Sequence, residues 1–423
     1  MTIIVILFAL FFIGLPIGFS LGIASTAHII YGNMPINMVL QRLFSGIDST
    51  ALTAVLLFSL AGALMMRGGM SDRLIDFADV LVGHFPSGMA MVSVLACMFF
   101  AALTGAAVAT AAAIGGIMIP VMLEKNYHKG FTASLLATAS SIGPIIPPSI
   151  PLLIYGVLAS CSVSKLFIGG IIPGILMGVS LMIVSYFVGK KRKYIGREKH
   201  ASKAEIIAVG KRAGLALLIP VIILGGIMGG IFTATESASI AVAYATIICI
   251  FVYRTLSLKE FAAAMVEAAK VTGMVLLVVG FASLFTWVIS MQMLPAKLTA
   301  FMSDHIASRW MFLLVVNVVL LIAGTFIDTI SAILIFTPLF LPMANMYGVD
   351  LVHLGVVIAV NLSIGMCTPP LGVCLFVTSG ITKIPLKAMF RDLIPQLVAL
   401  IIVLFIITYI PESVTALANA FVK

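Results

Sequence analysis

Two proline-rich segments that carry hydroxyl residues are the parts of this sequence best suited to chemistry. They read SIGPIIPPSIP over residues 141–151 and SIGMCTPPLGV over residues 363–373. Each proline lacks a backbone N–H and obstructs the carbonyl one turn earlier, so neither segment can remain a continuous helix. A carbonyl freed in apolar surroundings is unstable unless it meets a cation, water or packed protein. Both segments are therefore predicted cation sites, with the hydroxyls of Ser141, Ser363 and Thr368 as further oxygen ligands.

The second segment repeats the first at a fixed distance of 222 positions. This register pairs Ser141, Ile142, Gly143, Pro147 and Pro148 with Ser363, Ile364, Gly365, Pro369 and Pro370. It also pairs Pro120 with Pro342, Lys165 with Lys387, and Pro173 with Pro395. A proline kink that only shapes packing is the alternative for one segment, but two kinks in one extended register favour a duplicated functional site.

Polar residues also interrupt the apolar segment that precedes each copy. They are Thr104 and Gly105 in ALTGAAVAT, and Gly324, Thr325, Asp328 and Thr329 in AGTFIDT. If these segments re-enter the membrane, their tips meet the broken helices at mid-depth, and oxygens converge on one ion. Asp328 is the only acidic residue in 310–343, and an ionisable group at membrane depth is a functional candidate by default. If the segments cross fully, Asp328 lies in an aqueous turn instead.

The composition of the chain indicates that these motifs lie within a membrane protein. The chain has 423 residues, of which 62% are hydrophobic and 9% charged, and its mean hydropathy is +1.24. Soluble chains carry roughly 25% charged residues. Most of the surface must therefore face lipid. The net charge of +9 is explained by basic cytoplasmic loops, and nucleic acid is not an expected partner.

Nine apolar segments are each long enough for a membrane span, which takes around 20 residues. They are 3–30, 50–66, 131–160, 166–189, 214–231, 236–253, 272–291, 351–381 and 393–410. Two longer segments, 87–123 and 310–343, each predict a helical pair. A cytoplasmic N-terminus and an external C-terminus satisfy the positive-inside rule. Of the 24 basic residues, this topology leaves outside only Arg42, Lys165, Lys297, Arg309 and Lys423. The two copies then have opposite orientations, which is typical of secondary transporters.

The strings GPIIPPSIP, NLSIG with TPPLG, and the LTG and AGTFID tips closely resemble the large membrane subunit (DctM type) of tripartite ATP-independent periplasmic (TRAP) transporters. The resemblance covers essentially the whole chain. It implies an all-α polytopic membrane protein of inverted repeats, with two re-entrant helical hairpins and two broken helices. It further implies Na⁺-driven import of an organic acid, such as a C4-dicarboxylate, sialic acid or another sugar acid, by an elevator mechanism. Na⁺ is the coupling ion, and no other cofactor is expected.

The resemblance also implies two partners in the bacterial inner membrane system: a small four-helix membrane subunit and a soluble periplasmic substrate-binding protein. The predicted organisation is a first repeat over 1–189, a cytoplasmic linker over 190–212 and a second repeat over 213–423. Scaffold helices occupy 1–86 and 213–308, transport elements occupy 87–160 and 309–382, a connecting helix occupies 166–189, and a final helix occupies 391–410.

Carried onto this sequence, the family's Na⁺ sites fall on two sets of residues. The first contains Thr104, Gly105, Ser141, Gly143, Pro144 and Pro147, and the second contains Gly324, Thr325, Asp328, Thr329, Asn361, Ser363, Gly365 and Thr368. The substrate is expected at Pro148, Ser149, Pro369 and Pro370. Family members often have a serine after the first tip glycine and an acidic residue a few positions later. This chain has Ala106 and Thr110 there, so backbone carbonyls are expected to supply the first site.

Two other functions were considered from the residues. A membrane-embedded enzyme lacks support, because the sequence has no HExxH, no GxSxG and no pair of intramembrane aspartates. The isolated His28 and His353 are interpreted as core or interface residues. A stand-alone carboxylate symporter without a binding protein is separated from the TRAP type only by the family resemblance.

Overall fold

The computed structural model describes residues 2–197, 200–306 and 308–422, which form helices joined by short turns. No β-strand occurs within these residues, so the predicted all-α class is confirmed. Three residues of the sequence analysis lie outside the described part: Glu198 and Lys199 of the predicted linker, and Lys423 of the basic residues predicted to face outward.

The first repeat contributes ten helices within the described residues. They are α1 (Thr2–Phe12), α2 (Ile17–Tyr31), α3 (Asn37–Ile47), α4 (Thr50–Arg67), α5 (Met70–Val82), α6 (Gly88–Thr104), α7 (Ala107–Glu124), α8 (Lys129–Ser140), α9 (Ile150–Leu158) and α10 (Val163–Arg192). The predicted pair over 87–123 is α6 and α7. The predicted break in 131–160 separates α8 from α9.

The second repeat follows the same order. Its helices are α11 (Lys203–Met228), α12 (Ala234–Ile247), α13 (Leu258–Met291), α14 (Leu294–His305), α15 (Arg309–Gly324), α16 (Thr329–Met346), α17 (Leu351–Gly365), α18 (Val373–Thr382), α19 (Leu386–Tyr409) and α20 (Glu412–Phe421). A π-helical turn, Ile248–Val252, extends α12. Among the described residues, eight helices are long and apolar enough to cross a membrane: α4, α7, α10, α11, α12 with its extension, α13, α16 and α19.

The predicted single span over 3–30 is wrong, because the chain turns between α1 and α2. Gly14 there adopts a φ of +85°, which favours glycine, and Pro16 has no N–H with which to continue a helix. The predicted linker over 190–212 is also too long. Helix α10 continues to Arg192, and the Ser202 hydroxyl caps α11 by accepting a hydrogen bond from the Glu205 N–H.

Other observed helices extend past the predicted bounds of the spans, because charged and amphipathic residues also form helix outside the apolar segments. The predicted span over 272–291 is the second part of α13, which has 34 residues. The connecting helix predicted over 166–189 is α10, and the final helix predicted over 391–410 is α19. Helices α3, α5, α14 and α20 were not predicted, since each is too short or too polar for a span. The division into scaffold and transport parts stays a prediction.

Helix α19 shows that the two repeats are inverted. At its first turns, Asp392 lies 2.8 Å from His128, the residue before α8. Near its other end, the Ile407 carbonyl lies 2.8 Å from Nε2 of His353, in the first turn of α17. Because a helix rises 1.5 Å per residue, these two points are about 22 Å apart. Helices α8 and α17, which are repeat mates, therefore start at opposite ends of the same helix.

The two repeats also pack crosswise. The hairpin α6–α7 contacts α8 of its own repeat and α18 of the other. The hairpin α15–α16 contacts α17 of its own repeat and α9 of the other. Each hairpin therefore holds one half of both broken helices, and both clusters of buried hydrophobic residues contain side chains from the two repeats.

A buried carboxylate joins three helices at one end of this core. Asp392 of α19 is 7% exposed and accepts hydrogen bonds from Arg192 of α10 and from the ring of His128. Nearby, Gln396 donates to Ser134 at 3.0 Å and accepts from Thr138 at 2.7 Å, which ties α19 to α8 a second time. Both contacts fix the register of α19 against the first broken helix.

We expect Asp392→Asn to destabilise the detergent-solubilised protein, because Arg192 keeps its charge after its carboxylate partner is removed. The loss of hydrogen bonds to a charged group costs about 1.5–3 kcal/mol. Thermal unfolding measures this change. Glu267→Gln is the matched control, since the Arg67–Glu267 pair is also an arginine–carboxylate contact, at 2.8 Å, but both side chains are over a third exposed. That variant should lose less than about 1 kcal/mol. Equal losses in the two variants would contradict the structural role of Asp392.

Candidate ion and substrate site

The first hairpin tip lies directly against the first broken segment. Gly105 ends α6 with a φ of +63°, and a Cβ there would overlap the carbonyl oxygen of Pro148. A Cβ on Gly143 would lie 2.9 Å from the carbonyl oxygen of Ala106. Main chain thus meets main chain, and only glycine fits at either position. The first tip therefore meets the first broken segment through Gly105 at Pro148 and through Ala106 at Gly143, whereas the side chain of Thr104 bonds within the hairpin.

The second tip and the second broken segment meet in the same way. A Cβ on Gly365 would lie 2.6 Å from the Cα of Gly324. The N–H of Gly372 donates to the Thr325 carbonyl at 3.4 Å. Gly324 and Gly365, both predicted site residues, are therefore in backbone contact across the two elements.

Both contacts lie between the two ends of the molecule. The first broken helix starts beside Asp392, and α9 reaches the start of α17, where the Tyr155 hydroxyl donates to the Leu351 carbonyl at 2.8 Å. The break, 141–149, is between these ends. The proline pairs Pro147–Pro148 and Pro369–Pro370 each have a cis peptide bond.

At the first break, the hydroxyl groups are already bonded within their own segment. Ser141 donates to the Thr138 carbonyl at 2.7 Å, and Thr104 donates to the Phe100 carbonyl at 3.2 Å. Ser149 donates to the Pro144 carbonyl and accepts from the Leu152 N–H, which makes it the N-cap of α9. These side chains are buried, and in this conformation their hydrogen bonds stabilise the helix ends in which they lie.

The carbonyl groups of the first break are less occupied than its hydroxyls. Within the described residues, no group donates a hydrogen bond to the carbonyl oxygen of Ser141 or Gly143, although both residues are buried. Free main-chain oxygens at a broken helix are suitable ligands for Na⁺. Backbone carbonyls as the ligands of the first site stay a prediction.

At the second break, two side-chain oxygens are buried without a partner among the described residues. They are Oδ1 of Asn361 and Oγ of Ser363, and both residues are 0% exposed. Asn361 and Ser363 are two residues apart in α17, so their side chains point to different sides of the helix. Asn361 faces α15, where its Nδ2 donates to Oδ1 of Asn317 at 2.8 Å. Ser363 lies one turn before Cys367, which is beside Ser141 of the first break.

The remaining predicted ligands of the second set have local partners. Thr325 donates to the Ile322 carbonyl at 2.8 Å, and Thr368 donates to the Ile364 carbonyl at 2.8 Å. Thr329 contacts the sulfur of Met366 at 3.0 Å. Their hydroxyls retain lone pairs that point away from the donated proton, so each can still accept or coordinate.

Asp328 lies at the tip, as predicted, but its side chain is exposed rather than enclosed. It is the N-cap of α16, where it accepts a hydrogen bond from the Ser331 N–H at 3.0 Å. Ala106 has the same position before α7 in the first repeat and offers no side-chain oxygen. The two tips are therefore alike in backbone and different in charge.

The two breaks also differ in exposure. Residues 141–149 are buried apart from the partly buried Ile146, whereas Pro370 and Leu371 of the second break are exposed. Phe326 of the second tip is 58% exposed beside them. In this conformation, the second break is the one that opens to the surface.

Two buried polar residues near the site were missed by the sequence analysis. Asn317 of α15 links Asn361 to α19, because its Nδ2 donates to Thr408 at 3.0 Å. Gln396 of α19 likewise links its own helix to α8, the first half of the first broken helix. Each is an isolated amide in an apolar span, LLVVNVVLL for Asn317, and a polar group in such a span needs a partner. That signal was available in the sequence.

Comparison with known proteins gives the family of this chain. Residues 4–413 match the family model for the tripartite ATP-independent periplasmic transporter, DctM component. The chain is 43% identical to the isethionate TRAP transporter permease protein DctMQ of Oleidesulfovibrio alaskensis, over 96% of this chain and 64% of that protein's length.

Two further relatives match along nearly their whole length. The chain is 42% identical to the C4-dicarboxylate TRAP transporter large permease protein DctM of Pseudomonas aeruginosa, over 95% of this chain and 94% of that one. It is 39% identical to the sialic acid TRAP transporter large permease protein SiaM of Vibrio cholerae, over 97% and 96%.

Among solved structures, the fold is similar to that of the Alcanivorax borkumensis YdaH transporter, with a TM-score of 0.63 and 13% identity over 88% of this chain and 86% of that one. This likeness supports the fold alone. The family match covers almost every described helix, including both hairpins and both broken helices. The chain therefore belongs to the DctM family, the large permease component of TRAP transporters.

Proposed function

We propose that this permease imports an organic acid by a Na⁺-coupled elevator mechanism. Family membership makes the chain a transporter permease and not an enzyme. The observation that supports Na⁺ coupling is a pair of buried oxygens, Oδ1 of Asn361 and Oγ of Ser363, that have no hydrogen-bond partner in the described ranges of the chain. A buried polar atom left without a partner costs about 1–3 kcal/mol. A bound cation removes this penalty.

The proposed ligands differ between the two breaks. At the first, they are the carbonyl oxygens of Ser141 and Gly143 beside the tip at Gly105. At the second, they are the Ser363 and Asn361 oxygens with the tip carbonyls around Thr325. Because Ser363 and Asn361 leave α17 on different sides, they belong to different cation positions.

The positions of the tips favour hairpins that re-enter the membrane. Both tips contact broken segments that lie between the ends of α19, and its stretch of about 22 Å from 392 to 407 is most of a hydrocarbon core of about 30 Å. Asp328 then belongs to a polar region inside the membrane rather than to an aqueous loop.

The packing also favours movement of the transport elements as one body. The hairpins and broken helices interlock, whereas α4 packs with α12 and α13, and α13 packs with α2 and α3. The contacts between the hairpins or broken helices and the helices predicted as scaffold include α4 with α6 and α9, α5 with α6, and α13 and α14 with α16. We assign the first group to the moving domain and the second to the scaffold.

The substrate is proposed to bind at the second break. Pro369 and Pro370 lie at the exposed opening, and the N-terminus of α18 contributes the positive end of a helix dipole, although the N–H groups of Cys374 and Leu375 already donate to the carbonyls of Met366 and Gly372. Pro148 and Ser149 are buried here, so they become accessible only after movement. The relatives are named for isethionate, C4-dicarboxylates and sialic acid, which are all organic anions. We therefore propose an organic anion as substrate.

A small membrane subunit and a periplasmic substrate-binding protein are proposed as partners, in the bacterial inner membrane. The name DctMQ of the isethionate relative, which extends beyond the part that this chain covers, supports the first. The orientation, with the N-terminus in the cytoplasm and the C-terminus in the periplasm, rests on the basic residues. The Arg67–Glu267 pair and the Arg192–Asp392 contact both join residues that this topology puts on one side.

We expect Ser363→Ala to raise the Na⁺ concentration that gives half-maximal uptake, by roughly tenfold, because one oxygen ligand is removed. Uptake of labelled substrate into proteoliposomes measures this. Ser237→Ala is the matched control, since Ser237 in α12 also has a buried hydroxyl without a partner among the described residues. The proposal fails at this residue if the Na⁺ dependence of both variants is that of the unmodified protein.

Gly365→Ala should slow transport more than it reduces the amount of folded protein. The added methyl group would push the second tip from the second break, and such overpacking costs about 1–3 kcal/mol. Gly380→Ala is the control, because Gly380 lies in α18 with open space around the site of a Cβ. Both variants are compared by initial uptake rate and by size-exclusion profile. Wild-type rates in Gly365→Ala would show that the close contact is not needed.

Reconstitution tests the partners. Proteoliposomes with this chain and its small subunit should accumulate substrate only when an inward Na⁺ gradient and the binding protein are both supplied. A K⁺ gradient of equal size is the ionic control. Equal uptake without the binding protein would instead favour a stand-alone carboxylate symporter.

A further inference from the structure

A groove separates the first broken helix from the helices assigned to the scaffold. Its cavity has a volume of about 300 Å³. Apolar side chains line most of it: Leu52 from α4, Ile154, Val157 and Leu158 from α9, and Val279 from α13. The groove is outside the tip-and-break contacts, so the proposed ion sites do not account for it.

One wall of the groove is polar because of a stripe on α13. Ser283, Thr286, Trp287 and Ser290 recur at helical spacing on the face that lines the cavity. The hydroxyl of Thr286 is buried and has no hydrogen-bond partner among the described residues. A buried hydroxyl without a partner in a membrane groove indicates a missing acceptor or donor.

Arg42 of α3 lies at the mouth of this groove. Its guanidinium is 5.0 Å from the centre of the Trp287 ring, and none of the ion pairs within the described residues includes it. Arginine offers five N–H donors in a fork that matches phosphate oxygens. The groove thus presents a cation and hydroxyls at one end and an apolar surface at the other.

The residue types at the mouth of the groove, Arg42 and Trp287, suit the headgroup level of a membrane. Tryptophan and arginine are typical of the membrane–water boundary, with the ring in the interface and the charge in the headgroup layer. The helix end at Ile154–Leu158 is near the start of α17, the end at which the charge distribution places the outside. An acyl chain can therefore enter from the surrounding bilayer without crossing water.

We infer that this groove binds an anionic phospholipid, with its phosphate on Arg42 and the Thr286 hydroxyl and part of one acyl chain against Val157 and Leu158. A water-soluble anion fits less well, since most of the lining is apolar. A peptide or protein segment would bring no charge that matches Arg42 unless it were acidic. Lipid binding at this position is separate from Na⁺ coupling and is measurable without transport.

The test is native mass spectrometry of the delipidated full-length chain, titrated with phosphatidylglycerol. Arg42→Gln should weaken binding of the tightest lipid by roughly tenfold, since a charge-assisted contact is lost. Lys297→Gln is the matched control, because Lys297 is an exposed basic residue predicted on the same side and does not line the groove. Binding by Arg42→Gln that equals binding by Lys297→Gln would overturn the inference.

Two further experiments test whether the bound phosphate belongs to a lipid and whether the acyl chain lies against the apolar wall of the groove. Inorganic phosphate at millimolar concentration should not displace the lipid, and displacement would show an anion site instead. Val157→Trp fills the apolar part without touching Arg42, and it should also weaken lipid binding, whereas unchanged binding would place the lipid elsewhere. If Val157→Trp does not fold, the Arg42→Gln comparison still decides. Loss of lipid from the complex with the small subunit, but not from the chain alone, would mean that the subunit covers the groove.

Discussion

Main-chain polar groups freed inside an apolar medium are the constraint on which this structure depends. Prolines at 144, 147 and 148, and again at 369 and 370, prevent a continuous helix where lipid offers no hydrogen bonds. The two hairpin tips cover these interruptions, and they approach closely enough only because glycines stand at 105, 143, 324 and 365. The prolines and glycines therefore have complementary roles: the prolines open the main chain and the glycines let a second element cover it.

The duplicated architecture is symmetric in its backbone and asymmetric in its side chains. Helices α7 and α16 start 222 positions apart, as do α8 and α17. Yet Asp328 corresponds to Ala106, and Asn361 corresponds to Ala139. The first break is enclosed, whereas the second has an open edge and two side-chain oxygens that lack a partner within the part of the chain that the structure describes. Duplication has preserved the broken geometry while the polar groups around it diverged.

The sequence predicted the breaks, the tips, the helical pairs and the inversion, because proline chemistry and charge distribution act locally. It did not predict the turn at Gly14–Pro16 within one apolar run, or the amphipathic helix α3, since apolar length alone does not reveal a bend and a short amphipathic helix is not a span. The pairing of each hairpin with half of both broken helices was also out of reach. That arrangement is set by contacts between residues more than 170 positions apart, and no local pattern encodes it.

The crosswise packing has a thermodynamic consequence. Helices α8 and α18 contact one hairpin, and helices α9 and α17 contact the other. A displacement at either break is therefore transmitted through these helices to the other break. For the ligand positions proposed at the two breaks, this shared framework provides a route for coupling without direct contact between the ligands. Linkage then requires that any change in affinity that one ligand causes for the other has the same factor in both directions.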